Sequence, residues 1–294
     1  MKKIFFYTFL VLSTAAFIAS CTKDRLQDAR TDVNINNENL AQVRFIHALS
    51  SNSINTVSTV VAATAPPALN FFVNGVRLNA ISSATQTFTS VYGGAFPGAA
   101  ILVASNANGN NVFDYAAIPA GSSRVTGAMF RLIGASAADS VVSTTFTFDK
   151  WKKYTVIAAD TIPNQRFYAF EDVFVTPDTG NYAIRFINLG INLPTGITVP
   201  TALDVFSTRR QANIISNIPY RGSSAFVESR VANLFNNILF TTDTLLIRTA
   251  GTTTTVAQVN GFFPVRTRVY TFVARGVSRI AGTRTLAVNG YLNR

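Results

Sequence analysis

One strand-like stretch, written twice, constrains this chain more than anything else in it. Gln42-Val43-Arg44-Phe45-Ile46-His47-Ala48-Leu49 returns as Ala183-Ile184-Arg185-Phe186-Ile187-Asn188-Leu189-Gly190. In the first copy Val43, Phe45, His47 and Leu49 alternate with Gln42, Arg44, Ile46 and Ala48. That two-residue period puts one set on a core face and the other on the opposite face of a strand. Each copy opens a block of similar length, so the chain reads as a duplicated unit.

Both blocks carry the same landmarks in order. In the first, Leu69-Asn70-Phe71-Phe72-Val73 leads into Asn74-Gly75 and Val76-Arg77-Leu78. Asn-Gly between apolar runs signals a tight hairpin, because both residues tolerate positive φ. The second block keeps the strand as Leu203-Asp204-Val205-Phe206 but turns on Thr208-Arg209-Arg210. The first block continues through Tyr92 and Pro97-Gly98 into Ala100–Val103, and the second through Ile218-Pro219-Tyr220 to Ala225-Phe226-Val227 and later Thr244-Leu245-Leu246-Ile247. Late in each block a strand starts at a Tyr-Thr pair, Tyr154-Thr155 and Tyr270-Thr271, followed by closing strands over Phe167–Phe174 and Thr285–Leu292.

Composition agrees with strands. Hydrophobic residues make up 48% of the 294 positions and charged ones only 13%, with 24 Phe, and no long stretch repeats apolar residues at a helical period. The expectation is an all-β chain of two tandem β-sandwich domains, 41–178 and 181–294, joined at Pro177-Asp178-Thr179-Gly180. The layout resembles the domain-of-unknown-function family 4397. The residues that carry the resemblance are Val43 to Ala48, Asn70 to Gly75, Pro97-Gly98 and Tyr154-Thr155. The second block departs from the pattern at Asn188, where the first has His47, and at its turn. The resemblance implies immunoglobulin-like sandwiches and an exported location, and it brings no catalytic residues.

The amino terminus reads as an address. Met1-Lys2-Lys3 precedes an apolar run ending in Ile18-Ala19-Ser20-Cys21, too short for a confident spanning helix. These four residues resemble the lipobox of bacterial lipoproteins. That implies a signal peptide over 1–20, cleavage before Cys21 and its acylation, which anchors the chain in a membrane. Cys21 is the only Cys, so no disulfide forms within one molecule. Lys23-Asp24 resembles the signal after the Cys that sends lipoproteins of the Bacteroidota to the cell surface. Lipidated Cys21 and a polar, Asn-rich tether occupy 21–40, with a reach of about 25 Å. The expected location is the outer membrane, facing outward, with the periplasmic face as the alternative.

Charge is uneven. Residues 21–180 carry 11 basic and 11 acidic side chains, whereas residues 181–294 carry 12 Arg against Asp204, Glu228 and Asp243. Such an excess attracts anionic groups if it gathers in one patch, and is a solvated face if it scatters. Arg209, Arg210, Arg266 and Arg268 are candidate ligand contacts. So is Trp151, within Trp151-Lys152-Lys153-Tyr154, which either stacks on a sugar or anionic group or packs at a sandwich edge.

Catalytic patterns are missing from the sequence. His47 is the sole His, and its counterpart Asn188 reproduces the hydrogen bonds of a neutral imidazole but not its basicity, which points to a structural role. One His and a lipidated Cys make no zinc site. Glu171 and Asp172 are neighbours in a strand and point to opposite faces. The loop Ser105–Asn111 with Asp114 has oxygen ligands but too few carboxylates for Ca²⁺, so no cofactor or metal is expected. Basic residues among aromatics near Phe262, Phe263, Arg266, Arg268 and Tyr270 equally describe a strand with an Arg-rich outer face, and nucleic acid is not an expected partner. The leading expectation is a non-enzymatic surface binding or adhesion module for glycan or protein. The alternatives are an accessory subunit of an outer-membrane complex and, less favoured, a hydrolase.

Overall fold

The structure is a computed structural model that describes residues 39–49, 69–78, 95–97, 115–129, 140–160, 164–174, 176–193, 199–231, 242–278 and 285–293. Residues Asn39–Arg294 form one compact unit. Ile18, Ala19, Ser20, Cys21, the tether as far as residue 38, Tyr92, Gly98, Ala100–Val103 and the Asn-rich loop lie outside the described residues.

The described part is all-β. The first block holds β1 (Leu40–His47), β2 (Leu69–Val73), β3 (Val76–Arg77), β4 (Ala95–Phe96), β5 (Ala116–Pro119), β6 (Gly121–Met129), β7 (Ser140–Phe148), β8 (Lys153–Ala159) and β9 (Arg166–Glu171). The second holds β10 (Asn181–Asn188), β11 (Leu203–Ser207), β12 (Ala212–Ile218), β13 (Gly222–Ser223), β14 (Val227–Arg230), β15 (Asp243–Thr249), β16 (Thr255–Phe262), β17 (Val269–Arg275) and β18 (Ala287–Leu292).

The duplication seen in the sequence is also a duplication of pairing. β1 lies between β8, to which it is parallel, and the short β4 and β5, to which it is antiparallel. β10 stands in the same way between β17 and the pair β13 and β14. The other sheets run β3-β2-β6-β7 and β12-β11-β15-β16. Val43, Phe45 and Leu49 pack on Phe71, Val125 and Phe148 in one core. Ile184, Phe186 and Phe272 pack on Val205, Leu245 and Ile247 in another.

Asn74 and Gly75 adopt φ of 50° and 80° in the β2–β3 turn, which both residue types tolerate. The matching turn of the second block is held by Asp243 instead, which accepts hydrogen bonds from the Ser207 hydroxyl and the Arg209 amide.

Pairing places Val227–Arg230 opposite β10 as Ala116–Pro119 lies opposite β1. Two expectations need correction. The closing strands are shorter than their sequence patterns, because β9 ends at Glu171 and β18 begins at Ala287. Finally, the faces of β1 and β10 turned away from their own cores do not meet solvent. Ile46, Ala48, Ile157 and Ala159 join Ile187, Leu189, Val273 and Tyr291 in a third cluster. Burial on both faces explains why the neighbours Phe45 and Ile46, on opposite faces of β1, are both apolar.

Candidate functional site

The third cluster is the middle of a seam between the two blocks, and polar groups close it on both sides. Arg44 and Arg185 hold equivalent positions, one beside Thr155 and the other beside Thr271. Each reaches across to a backbone carbonyl of the opposite block. Arg44 Nη2 donates to Leu292 O at 2.7 Å, and Arg185 Nη1 to Glu171 O at 3.0 Å. Each guanidinium also lies over an aromatic ring of its own block, Arg44 over Tyr115 at 4.7 Å and Arg185 over Phe226 at 4.6 Å. Thr155 Oγ1 donates to Asp172 at 2.7 Å, just as Thr271 Oγ1 donates to Asn293 at 2.7 Å. The same patch thus appears on both partners, as in an isologous dimer interface, here within one chain.

Two differences break this symmetry. Asp172 stands where the second block has Asn293, and Tyr115 where it has Phe226. The Tyr115 hydroxyl sits between the unlike pair, donating to Asp172 at 2.6 Å and accepting from Asn293 Nδ2 at 2.9 Å. Asp172 also forms a buried ion pair with Arg185. Burial pushes the Tyr115 phenol well above its ordinary range, so it stays a proton donor.

Asp160, at the far end of β8, makes the second polar tie. It accepts from Tyr168 at 2.6 Å within its own block, and from Tyr220 and Arg221 across the seam, the latter at 2.8 Å. Burial, with Asp160 as hydrogen-bond partner, raises both phenols. Sequence reasoning missed this seam. Arg44 and Arg185 were legible only as outward strand positions, and the available signal was an Arg repeated at the same place in both copies.

His47 is buried and its Nδ1 accepts the Leu49 amide at 3.3 Å, while Asn188 Oδ1 accepts the Gly190 amide at 3.3 Å. The two side chains perform the same backbone bond. Glu171 is exposed and pairs with Lys152, while Asp172 is buried, so the two carboxylates do face apart.

Trp151 is 56% exposed, in the turn before β8, with φ of 67°. Thr267 holds the same place before β17, with φ of 60°, flanked by Arg266 and Arg268. The amides of Trp151 and Thr267 donate to Leu40 O and Asn181 O, where β1 and β10 begin. Arg209 and Arg210 lie in the β11–β12 turn, near enough to Tyr182 to pull its pKa down against the larger upward push of burial. Burial likewise lifts Tyr270 to about 12, opposed by a hydrogen bond from the Val265 amide and by the Arg268 charge. The Tyr182 and Tyr270 rings, at the start of β10 and β17, sit 6.5 Å apart. Among the described residues no three His, Cys, Asp or Glu side chains gather as a metal site.

These features define a class: an all-β protein whose duplicated block is folded back on itself across an ionic seam. The chain belongs to the family described as Domain of unknown function (DUF4397), whose model matches residues 41–195. The match runs through the whole first block and on past β10. No curated protein matches the chain.

Proposed function

We propose that this is a non-catalytic cell-envelope lipoprotein, exported by the signal peptide 1–20, acylated at Cys21, and held on the outer surface of the outer membrane as a binding or adhesion module. In this reading the blocks 41–178 and 181–294 are tandem immunoglobulin-like sandwiches. The corner bonds support it: Tyr154 OH accepts the Asp149 amide at 3.1 Å and Tyr270 OH accepts the Val265 amide at 3.0 Å. A tyrosine reaching back to upstream backbone is a hallmark of such sandwiches.

The observation that carries the non-catalytic reading is the occupation of the buried acids. Asp160 and Asp172 are each saturated by tyrosine, threonine or arginine donors of the seam. A general acid or base needs a proton path to a substrate, and these carboxylates face the opposite block instead. What the chain offers a partner is a stiff body, with the repeat providing its shape.

Protease treatment of intact cells, with permeabilised cells as control, tests the placement. Cleavage on intact cells is the expected result. Protection until permeabilisation sinks surface display and favours the accessory subunit, to be sought by co-purification in mild detergent.

A further inference from the structure

The direction of the strands decides which side chains share an end of the molecule. Arg44 contacts the last residues of β18 and Arg185 those of β9, at matching levels of the two blocks. Ile46 and Ile187, and beyond them Ala48 and Leu189, join one apolar cluster. β1 and β10 therefore run the same way across the seam. The turns leading into β8 and β17, each bonded to the first residues of β1 or β10, emerge at the same end. It is also the end at which the chain enters the compact unit at Asn39.

That end is basic and carries an exposed indole. Trp151 stands there with Lys150, and Arg266 and Arg268 flank the equivalent turn. Arg210 is fixed beside them by its bond to the carbonyl of Arg230, which pairs with Asn181 at the start of β10. Val173 and Val265 add exposed apolar surface, 68% and 37% accessible. Of the carboxylates at this end, Asp149 and Glu171 pair with Lys152, Glu228 accepts from Asn181, Asp243 holds its turn, and Asp178, next to the start of β10, is exposed.

We propose that this end seats on the anionic headgroup surface of the membrane that anchors the chain, with Trp151 at headgroup depth and the cations over lipid phosphates. The proposal rests on the reading of Cys21 as acylated. Indole rings beside cationic side chains are the composition of interfacial belts, where an amphipathic ring has one wet and one apolar side. Seventeen residues separate Cys21 from Asn39, so an anchor holds this end near the bilayer at millimolar effective concentration, and weak contacts suffice. Each cation near an anionic surface strengthens such binding by about fivefold. Arg210, Arg266 and Arg268 of the second block then act toward the membrane, and the opposite end of the body is left for a partner.

Trp151 is the only Trp, so its emission reports this end alone. The chain from Thr22 onward, with a histidine tag replacing Cys21, is tethered to vesicles through a nickel-chelating lipid, which imitates the anchor without needing acylation. On phosphatidylglycerol-containing vesicles with brominated acyl chains, Trp151 emission should shift to the blue and be quenched. On phosphatidylcholine alone the effect should weaken, and added salt should weaken it further. Lys150→Glu with Arg266→Glu and Arg268→Glu should lower untethered binding by at least a hundredfold. Unchanged emission on tethered anionic vesicles overturns the proposal, as does a Trp151 response to soluble glycans but not to vesicles. Mass spectrometry of Cys21 in the full chain from cell membranes reads the anchor separately: an unmodified thiol with quenching intact sinks the lipoprotein reading and leaves the docking standing.

Discussion

The unlike residues at matching positions explain most at the scale of single side chains. His47 Nδ1 and Asn188 Oδ1 occupy corresponding sites and accept the same kind of amide two residues on. Both are buried among apolar neighbours, where an orphaned backbone N–H costs about 1–3 kcal/mol. Either side chain supplies the acceptor that this amide needs, and Asn188 also donates to the Ile218 carbonyl at 3.0 Å. His47→Asn should leave stability within about 1 kcal/mol of the parent, whereas His47→Leu should lose about 1–3 kcal/mol. Urea denaturation of both variants checks this, and an equal loss in the two would mean that ring volume matters more than the bond.

Among the elements, the last strands of the blocks show volume being traded across a pair. In the first block Ala169 of β9 lies opposite Val156 of β8. In the second, Gly290 of β18 lies opposite Phe272 of β17. A Cβ added at Gly290 would come within 2.9 Å of the Phe272 ring, which is buried and has little freedom to yield. Gly290→Ala should cost about 1–3 kcal/mol by overpacking, and adding Phe272→Val, which recreates the first-block pair, should relieve the clash. Gly75→Ala meets no atom within 4 Å and is penalised only for its φ of 80°, at about 1 kcal/mol. Thermal unfolding of the three variants separates crowding from backbone strain. The same pairs show what the sequence could reveal. Alternation along β1 and the Asn74-Gly75 hairpin were legible, since both follow from local geometry. The parallel alignment of β1 with β8 was not, because it depends on residues more than a hundred positions apart. Nor was the burial of Arg44 and Ile46, whose strand face is completed by residues of the other block.

Across the whole molecule, the seam makes two similar blocks depend on each other. Arg185 contributes a guanidinium to Asp172 and a hydrogen bond to Glu171 O, both in the first block. Removing it leaves Asp172 buried with threonine and tyrosine donors but no countercharge. Breaking one side of such a pair typically costs about 3–5 kcal/mol, far more than the intact pair contributes over a well-packed apolar substitute. The consequence should reach both blocks, because the apolar cluster and the Asp160 tie lie along the same surface. Two probes report this separately: Trp151 emission follows the first block, while circular dichroism follows every strand. In the parent chain the two denaturation curves should coincide, as for one cooperative unit. In Arg185→Met both midpoints should fall together, and the double variant Arg185→Met with Asp172→Asn should recover part of the loss by removing the stranded charge. A dichroism midpoint that falls while Trp151 unfolds at its parent concentration would show that the first block stands alone, and would reduce the seam to a contact between independent bodies.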